Sequence, residues 1–167
     1  MVLSTLQTVG LLVGIVYYVT IMRNAQKNQQ VALETRQAQL LKQLHDHYTS
    51  EEYKGQAIKL YFQWQWRDLE DFQAKYGPEK NPEAYKIYSS VVSFYEGVGV
   101  LVQRGLIDKT LVDDLMSSSI TRIWEKIAPL VAEQRETWKW PQIAEWFEFL
   151  YDQIKPLELE QHPELRT

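Results

Sequence analysis

The stretch PEAYKIYSSVVSFYEGVGVLVQRG, residues 82–105, carries apolar side chains at a regular spacing. They recur every three or four residues, at Tyr88, Val91, Val92, Tyr95 and Val98. This period places them on one side of an α-helix, the side that faces a core. Asn81 can cap the first turn, Pro82 suits the first helical position, and Gly105 suits the turn after the end. The stretch therefore predicts one long helix of a helical bundle.

Glu96 interrupts the apolar pattern of this helix and stands next to Gly97 and close to Gly99. A carboxylate at the margin of a core is costly unless it is paired. We expect a structural ion pair with Arg122 or Arg135 on a later helix, and a catalytic acid is the alternative. Each interior glycine lowers helix stability by about 1 kcal/mol relative to alanine. That cost suggests that another helix packs closely at this point.

Three further segments have the helical period, and none has the period of a strand. They are residues 51–75, 109–131 and 141–154. Pro129 is expected to kink or break the second of them near residue 127. The charged, proline-containing residues after 154 read as a loose tail. The pattern predicts an antiparallel bundle of four to six helices.

The chain begins with a stretch without a charged side chain, from Val2 to Met22. A helix of this length spans ~31 Å, about the thickness of the hydrocarbon core of a bilayer. A signal peptide would require a basic residue before its apolar segment, and none precedes Arg23. We therefore expect an uncleaved membrane anchor. A helix buried in the core is the alternative. The expected fold is all-α, with a single N-terminal transmembrane helix that continues into a cytosolic bundle. The predicted parts are an anchor (1–22), a juxtamembrane helix (23–48), the bundle (49–154) and a flexible tail (155–167).

The charges after this stretch predict an orientation. The first 42 residues carry +3, and the remainder carries −7, of the formal net charge of −4. The charged residues of the first part are Arg23, Lys27, Glu34, Arg36 and Lys42. The positive-inside rule then places the N-terminus outside and the rest of the chain in the cytoplasm, at the cell membrane.

Gly10 and Gly14 form a G-x-x-x-G pair in the predicted anchor. Four residues apart, they share one side of a helix and leave room for another helix backbone. The expected partners are therefore the lipid bilayer and a protein bound through this helix, either a homodimer or a different membrane protein. A chance pair is the alternative, because glycine is common in membrane helices.

Composition excludes several kinds of site. The chain has no cysteine, which excludes disulfides and thiolate metal sites. The acidic part after residue 42 is unsuited to nucleic acid, which requires a basic surface. Ser117, Ser118 and Ser119 lack a nucleophile elbow and a histidine partner. We therefore predict no catalytic residue, no metal and no cofactor.

An aromatic segment, residues 61–66, lies within the helix predicted over residues 51–75. Phe62, Trp64 and Trp66 would point to different sides of a helix, so they belong either to the core or to a surface that binds a partner. Six Trp and ten Tyr are many for a chain of 167 residues. We take these three residues as the candidate partner surface.

Two functions follow from these features. The first is a single-pass membrane protein whose cytosolic bundle is a non-catalytic accessory or scaffold module that binds another protein. The second is a membrane-anchored sensor or enzyme-like module with a small-ligand pocket inside the bundle. Its lining would be Trp64, Trp66, Tyr95, Glu96 and Trp124.

Several segments resemble one family. They are SFYEGVGVLVQRGLIDKTLVDDL (93–115), IWEKIAPLVAEQR (123–135), RQAQLLKQLHDHYTSEEY (36–53) and WQWRDLEDFQAKYGPE (64–79). Together they are similar to an uncharacterised family of small prokaryotic membrane-anchored helical proteins, classed as a domain of unknown function. The resemblance supports the helical fold and implies no activity and no catalytic residue.

Overall fold

All regular secondary structure in the part of the chain that the structure describes is helical. The computed structural model describes the backbone of residues 2–165 and the side chains of residue 7 and residues 10–164. Six α-helices and no strand lie in that range. They are α1 (Val2–Thr49), α2 (Glu51–Ile58), α3 (Leu69–Tyr76), α4 (Pro82–Gln103), α5 (Lys109–Trp138) and α6 (Glu145–Gln161). The all-α class and the helical bundle expected from the sequence are confirmed.

Two short turns complete the described chain, and the chain divides into two compact units. A π-helical turn (Lys59–Gln63) follows α2, and a 3-10 turn (Pro163–Leu165) follows α6. The units are Met1–Leu40 and Leu41–Thr167. The first unit is therefore the greater part of α1, and the second contains the bundle.

The predicted transmembrane anchor over residues 1–22 is wrong. Among the residues that the structure describes, no helix has both the length and the apolar character needed to cross a membrane. Polar residues are frequent up to Thr8, and the mostly apolar stretch from Val9 to Met22 extends only ~21 Å as a helix, short of a ~30 Å hydrocarbon core. The cellular location inferred from the anchor is not tested by the structure and stays a prediction.

The helix predicted over residues 51–75 is interrupted. Ser50 caps α2 by accepting a hydrogen bond from the Tyr53 N–H at 3.2 Å. The backbone then widens into the π-helical turn and becomes extended at Trp64. Asp68 starts α3 by accepting from the Asp71 N–H at 2.8 Å. Two helices separated by a turn and a loop therefore replace the single predicted helix.

The ends of α4 agree with the sequence. The Asn81 side chain accepts from the Ala84 N–H at 3.1 Å, and Pro82 is the first helical residue. Gly105 has a φ of 65°, a left-handed conformation that costs glycine little. The predicted caps of this helix are confirmed.

The break in α5 lies at Met116 rather than near Pro129. Met116 has non-helical angles (φ −149°, ψ 17°), whereas the helix continues through Pro129 to Trp138. A proline removes one backbone donor, and the buried side chains around it hold the helix in place. They are Ile127, Leu130 and Val131.

The tail predicted from residue 155 is largely helical. The last helix, α6, runs through Pro156 to Gln161, because Ile154 and Glu158 are buried and hold this turn against the bundle. At its other end α6 begins at Glu145, after Ala144 in a left-handed conformation, and not at Pro141. The helix therefore begins four residues later and ends seven residues later than predicted.

The core of the second unit lies where α6 packs against both α4 and α5. α4 and α6 approach each other closely at Gly99. A Cβ on this residue would collide with the carbonyl oxygen of Trp146 and lie 2.7 Å from its carbonyl carbon. A Cβ on Gly97 would meet nothing within 4 Å. Close helix packing therefore explains the second glycine and not the first.

Candidate functional site

An open cleft of about 260 Å³ lies in the second unit, between the segment from the end of α1 to the π-helical turn and the middle of α5. Its first wall is formed by Tyr48, Tyr53, Lys54, Ala57, Ile58, Tyr61 and Phe62. Its second wall is formed by Ser118, Ser119, Arg122 and Ile123. The residues of the second wall lie three and four positions apart on one side of α5, whereas the first wall continues from the end of α1 through α2 into the π-helical turn.

Aromatic rings hold the first wall against α4. Phe94 lies at the centre of the cluster, with its ring centroid 4.7 Å from Tyr53, 4.9 Å from His47 and 6.5 Å from Tyr48. Such tilted and offset ring pairs stabilise a core beyond the area they bury. The cluster fixes the end of α1 and the start of α2, and with them the aromatic wall of the cleft.

Buried hydroxyl groups lie at the wall of the cleft. The Tyr95 hydroxyl and Ser119 Oγ form a 2.6 Å hydrogen bond between α4 and α5. The Tyr53 hydroxyl is buried beside the Tyr95 hydroxyl. Burial raises the pKa of both tyrosines above the ordinary value of 10.0, so both stay protonated at neutral pH. Both hydroxyl groups are therefore neutral polar groups at the wall of the cleft.

The cleft carries positive charge that its own lining does not neutralise. Lys54 and Arg122 are exposed, and no acidic residue lines the cleft. Neither side chain lies within 4.0 Å of a carboxylate in the part of the chain that the structure describes. The site therefore combines an apolar and aromatic wall with two cations and several hydroxyl groups.

Lys126 of α5 stabilises the turn at one end of the cleft. Its Nζ donates to the carbonyl oxygens of Tyr61 at 2.6 Å and Trp64 at 2.8 Å. The same ammonium lies 5.1 Å from the ring centroid of Trp66, and burial lowers its pKa. These bonds satisfy carbonyl groups at the end of the π-helical turn, where they lack helical partners. Phe62 is held at the rim and is 68% exposed.

The three residues of the predicted partner surface are separated by the fold. Trp64 is only 9% exposed and stacks on Tyr76 at 4.4 Å between ring centroids. Trp66 is half-buried, with an edge contact to Phe72 at 5.4 Å. Only Phe62 of the three is exposed, because the backbone leaves the π-helical turn and becomes extended at Trp64. One aromatic partner surface made of all three residues is therefore not present.

The pocket predicted inside the bundle is not where the structure places a cleft. None of its five predicted lining residues lines the observed cleft. Tyr95 and Trp124 are core residues, and Trp124 lies 5.1 Å from the Phe147 ring. Glu96 binds backbone groups instead. Sequence reasoning missed the cleft residues of α2. It also missed the other wall, although the spacing of Ser118, Ser119 and Arg122 indicates that they share one side of a helix.

Glu96 caps another helix and does not form the predicted ion pair. Its Oε1 accepts from the backbone N–H groups of Trp146 at 3.0 Å and Phe147 at 2.9 Å, in the first turn of α6. Arg135 donates to Glu148 at 2.7 Å and to the Ile143 carbonyl at 2.8 Å. The correction has a physical reason: α6 has no side-chain cap of its own, and its free N–H groups attract a carboxylate.

The glycine pair of α1 lies within the first unit. A Cβ on Gly10 or on Gly14 would meet nothing within 4 Å, so this side of the helix is open. A helix contact at these glycines is not tested by a single chain and stays a prediction, now without the membrane span that was assumed for it.

The fold and the cleft define an all-helical protein with one helix of exposed apolar residues and a cationic cleft in its bundle. A family model described as Domain of unknown function (DUF4760) matches residues 4–154. The match covers most of the chain, so the protein belongs to this family, as its resemblance to an uncharacterised family suggested. The comparison with curated proteins found no match, and neither did the comparison with solved structures.

Proposed function

We propose that the protein is a non-catalytic accessory or scaffold module that binds a helical partner protein through the apolar part of α1. The observation that carries the proposal is the exposure of ten large apolar side chains in this part of the helix. They are Leu11, Leu12, Val13, Ile15, Val16, Tyr17, Tyr18, Val19, Ile21 and Met22. Continuous apolar surface of this kind is rare on a monomer and is typical of interaction sites.

The distribution of these side chains favours a partner with several helices. Leu11, Leu12 and Val13 are 66%, 56% and 64% exposed. Successive residues of a helix are rotated by ~100°, so these three point to different sides. One helix of a second copy would cover only one side and leave the others in water. A groove between helices of a partner would cover the segment more completely, and the open backbone at Gly10 and Gly14 allows a close approach.

Photo-crosslinking in cells tests this proposal. A crosslinking amino acid at Val16 should yield one adduct heavier than the 19.7 kDa chain, with the crosslink on an apolar helix of another protein. The matched control is the same amino acid at Gln29, an exposed polar position of the same helix, which should give little adduct.

The pure partner should then bind the parent chain and lose at least tenfold in affinity for a Val13→Glu and Val16→Glu double variant, since a buried carboxylate without a partner is costly. Adducts of twice the chain mass would show self-association instead. Crosslinks only to lipid, or equal adducts at both positions, would also overturn the proposal.

A further inference from the structure

We propose that the cleft between α2 and α5 binds a small amphipathic carboxylate, with its carboxylate at Arg122 and Lys54 and its medium-chain apolar tail against the aromatic wall. The inference concerns the second unit of the chain and does not depend on the partner of α1. It rests on the placement of charges, hydroxyl groups and apolar side chains in one concave site.

The charge of the site favours an anion. Arg122 and Lys54 reach the cleft from opposite walls, and the lining contains no carboxylate to neutralise them. An arginine guanidinium binds a carboxylate with two parallel hydrogen bonds, and such charge-assisted bonds are stronger than neutral ones. Ser118 lies one helical turn before Arg122, on the same side of α5, and adds a hydroxyl donor.

The rest of the lining requires an apolar tail. Ala57, Ile58 and Phe62 on one wall and Ile123 on the other offer no hydrogen-bonding side chain. The exposed fractions of Ile58 and Phe62 are 49% and 68%, so apolar area is left to be covered. A ligand that covers it gains free energy in proportion to the area removed from water.

The size of the cleft limits the ligand. A volume of about 260 Å³ lies just below the roughly 300–1,000 Å³ typical of sites for drug-sized molecules. A medium-chain carboxylate suits this volume.

Titration of the 167-residue chain with octanoate, monitored by isothermal calorimetry and by amide chemical shifts, tests the proposal. Octanoate should bind with shifts confined to α2, the π-helical turn and residues 118–123. Octan-1-ol, which keeps the tail without the charge, and acetate, which keeps the charge without the tail, should each bind at least tenfold more weakly.

Substitutions separate the two parts of the site. Arg122→Gln should weaken octanoate at least tenfold and leave octan-1-ol unchanged. The matched control Arg104→Gln changes an exposed arginine outside the cleft and should have no effect. Ala57→Leu should fill the cleft and weaken both ligands, with unchanged circular dichroism as the check on folding.

Three results would overturn the proposal. The first is equal affinity for octanoate and octan-1-ol, which would mean that the cations do not recognise the head group. The second is an equal effect of the two arginine substitutions. The third is shifts confined to the apolar part of α1, which would place the ligand outside the cleft.

Discussion

Val91 and Val98 of α4 are completely buried, whereas Val13 and Val16 of α1 are 64% and 66% exposed. All four lie in regular helix with apolar neighbours in the sequence. The helix α4 packs against α2, α3 and α6, which cover its valines. A valine stabilises the fold by about 1.5–3 kcal/mol only when it is removed from water. The comparison teaches that helical spacing indicates which side chains can be buried, while the neighbouring helices decide which are.

The largest difference between the two regions should appear when a buried ring is removed. Phe147 is fully buried and stacks on Tyr95 at 4.5 Å between ring centroids. Phe147→Ala should lower the free energy of unfolding by about 3–5 kcal/mol, through lost burial and the cavity left behind. Val16→Ala in α1 should change it by less than about 0.5 kcal/mol. Urea unfolding of the purified chain measures both, and equal losses would mean that α1 is as well covered as the core.

Two glycines of α4 sharpen the comparison within one helix. Gly99→Ala should destabilise the fold by about 1–3 kcal/mol, because the new methyl group forces α4 and α6 apart at Trp146. Gly97→Ala meets open space and should stabilise the helix by up to about 1 kcal/mol. Thermal melting of both variants tests the pair. If both variants melt at the same temperature, the close approach at Gly99 is not present in solution.

Removing the cap of α6 should have a smaller effect. Glu96→Ala leaves the N–H groups of Trp146 and Phe147 without their acceptor, which should cost about 1 kcal/mol, the usual loss for a helix cap. Glu96→Gln keeps a carbonyl oxygen at the same place and should retain most of this stability. Chemical denaturation at pH 7 distinguishes them, and a Gln variant as unstable as the Ala variant would contradict the capping role.

The smallest effect concerns the pH dependence of Glu96. Burial raises its pKa above the ordinary value of 4.5, against the two N–H groups that lower it. The native state therefore holds this proton more tightly than the unfolded chain. The stability that the raised pKa of Glu96 contributes is fully present below pH 4.5 and is lost as pH rises through the pKa of the native state. Relative to Glu96→Gln, the parent should thus be slightly less stable at pH 7 than at pH 4. A constant difference across this range would contradict the raised pKa.

Much of the secondary structure was predictable because its causes are local. Asn81, Pro82 and Gly105 mark the ends of α4, and each acts within one turn of its own position. The buried face of α4 was predictable for the same reason, since its period is a property of the helix. The failures occurred where a distant group changes the local preference. Lys126 lies 62 residues from Trp64, and its bonds to the turn cannot be read from the aromatic segment itself.

The candidate site was much less predictable. Arg122 was singled out from the sequence, but as a partner for Glu96 and not as a cation of a cleft. Charge pairing depends on which helices meet, and the start of α6, with no side-chain cap of its own, attracts Glu96 instead. Tyr53 and Lys54 carry no signal of a site in their own segment, because a cleft exists only between two walls that are far apart in sequence.

Side-chain pattern and turn residues alone were enough to specify an all-helical chain and the ends of α4. These properties follow from interactions that span one or two turns. The burial of Trp64, the cap provided by Glu96, the break at Met116 and the cleft beside Arg122 were decided by tertiary packing. Their free energies depend on groups brought together from different helices, and no local rule of spacing contains that information.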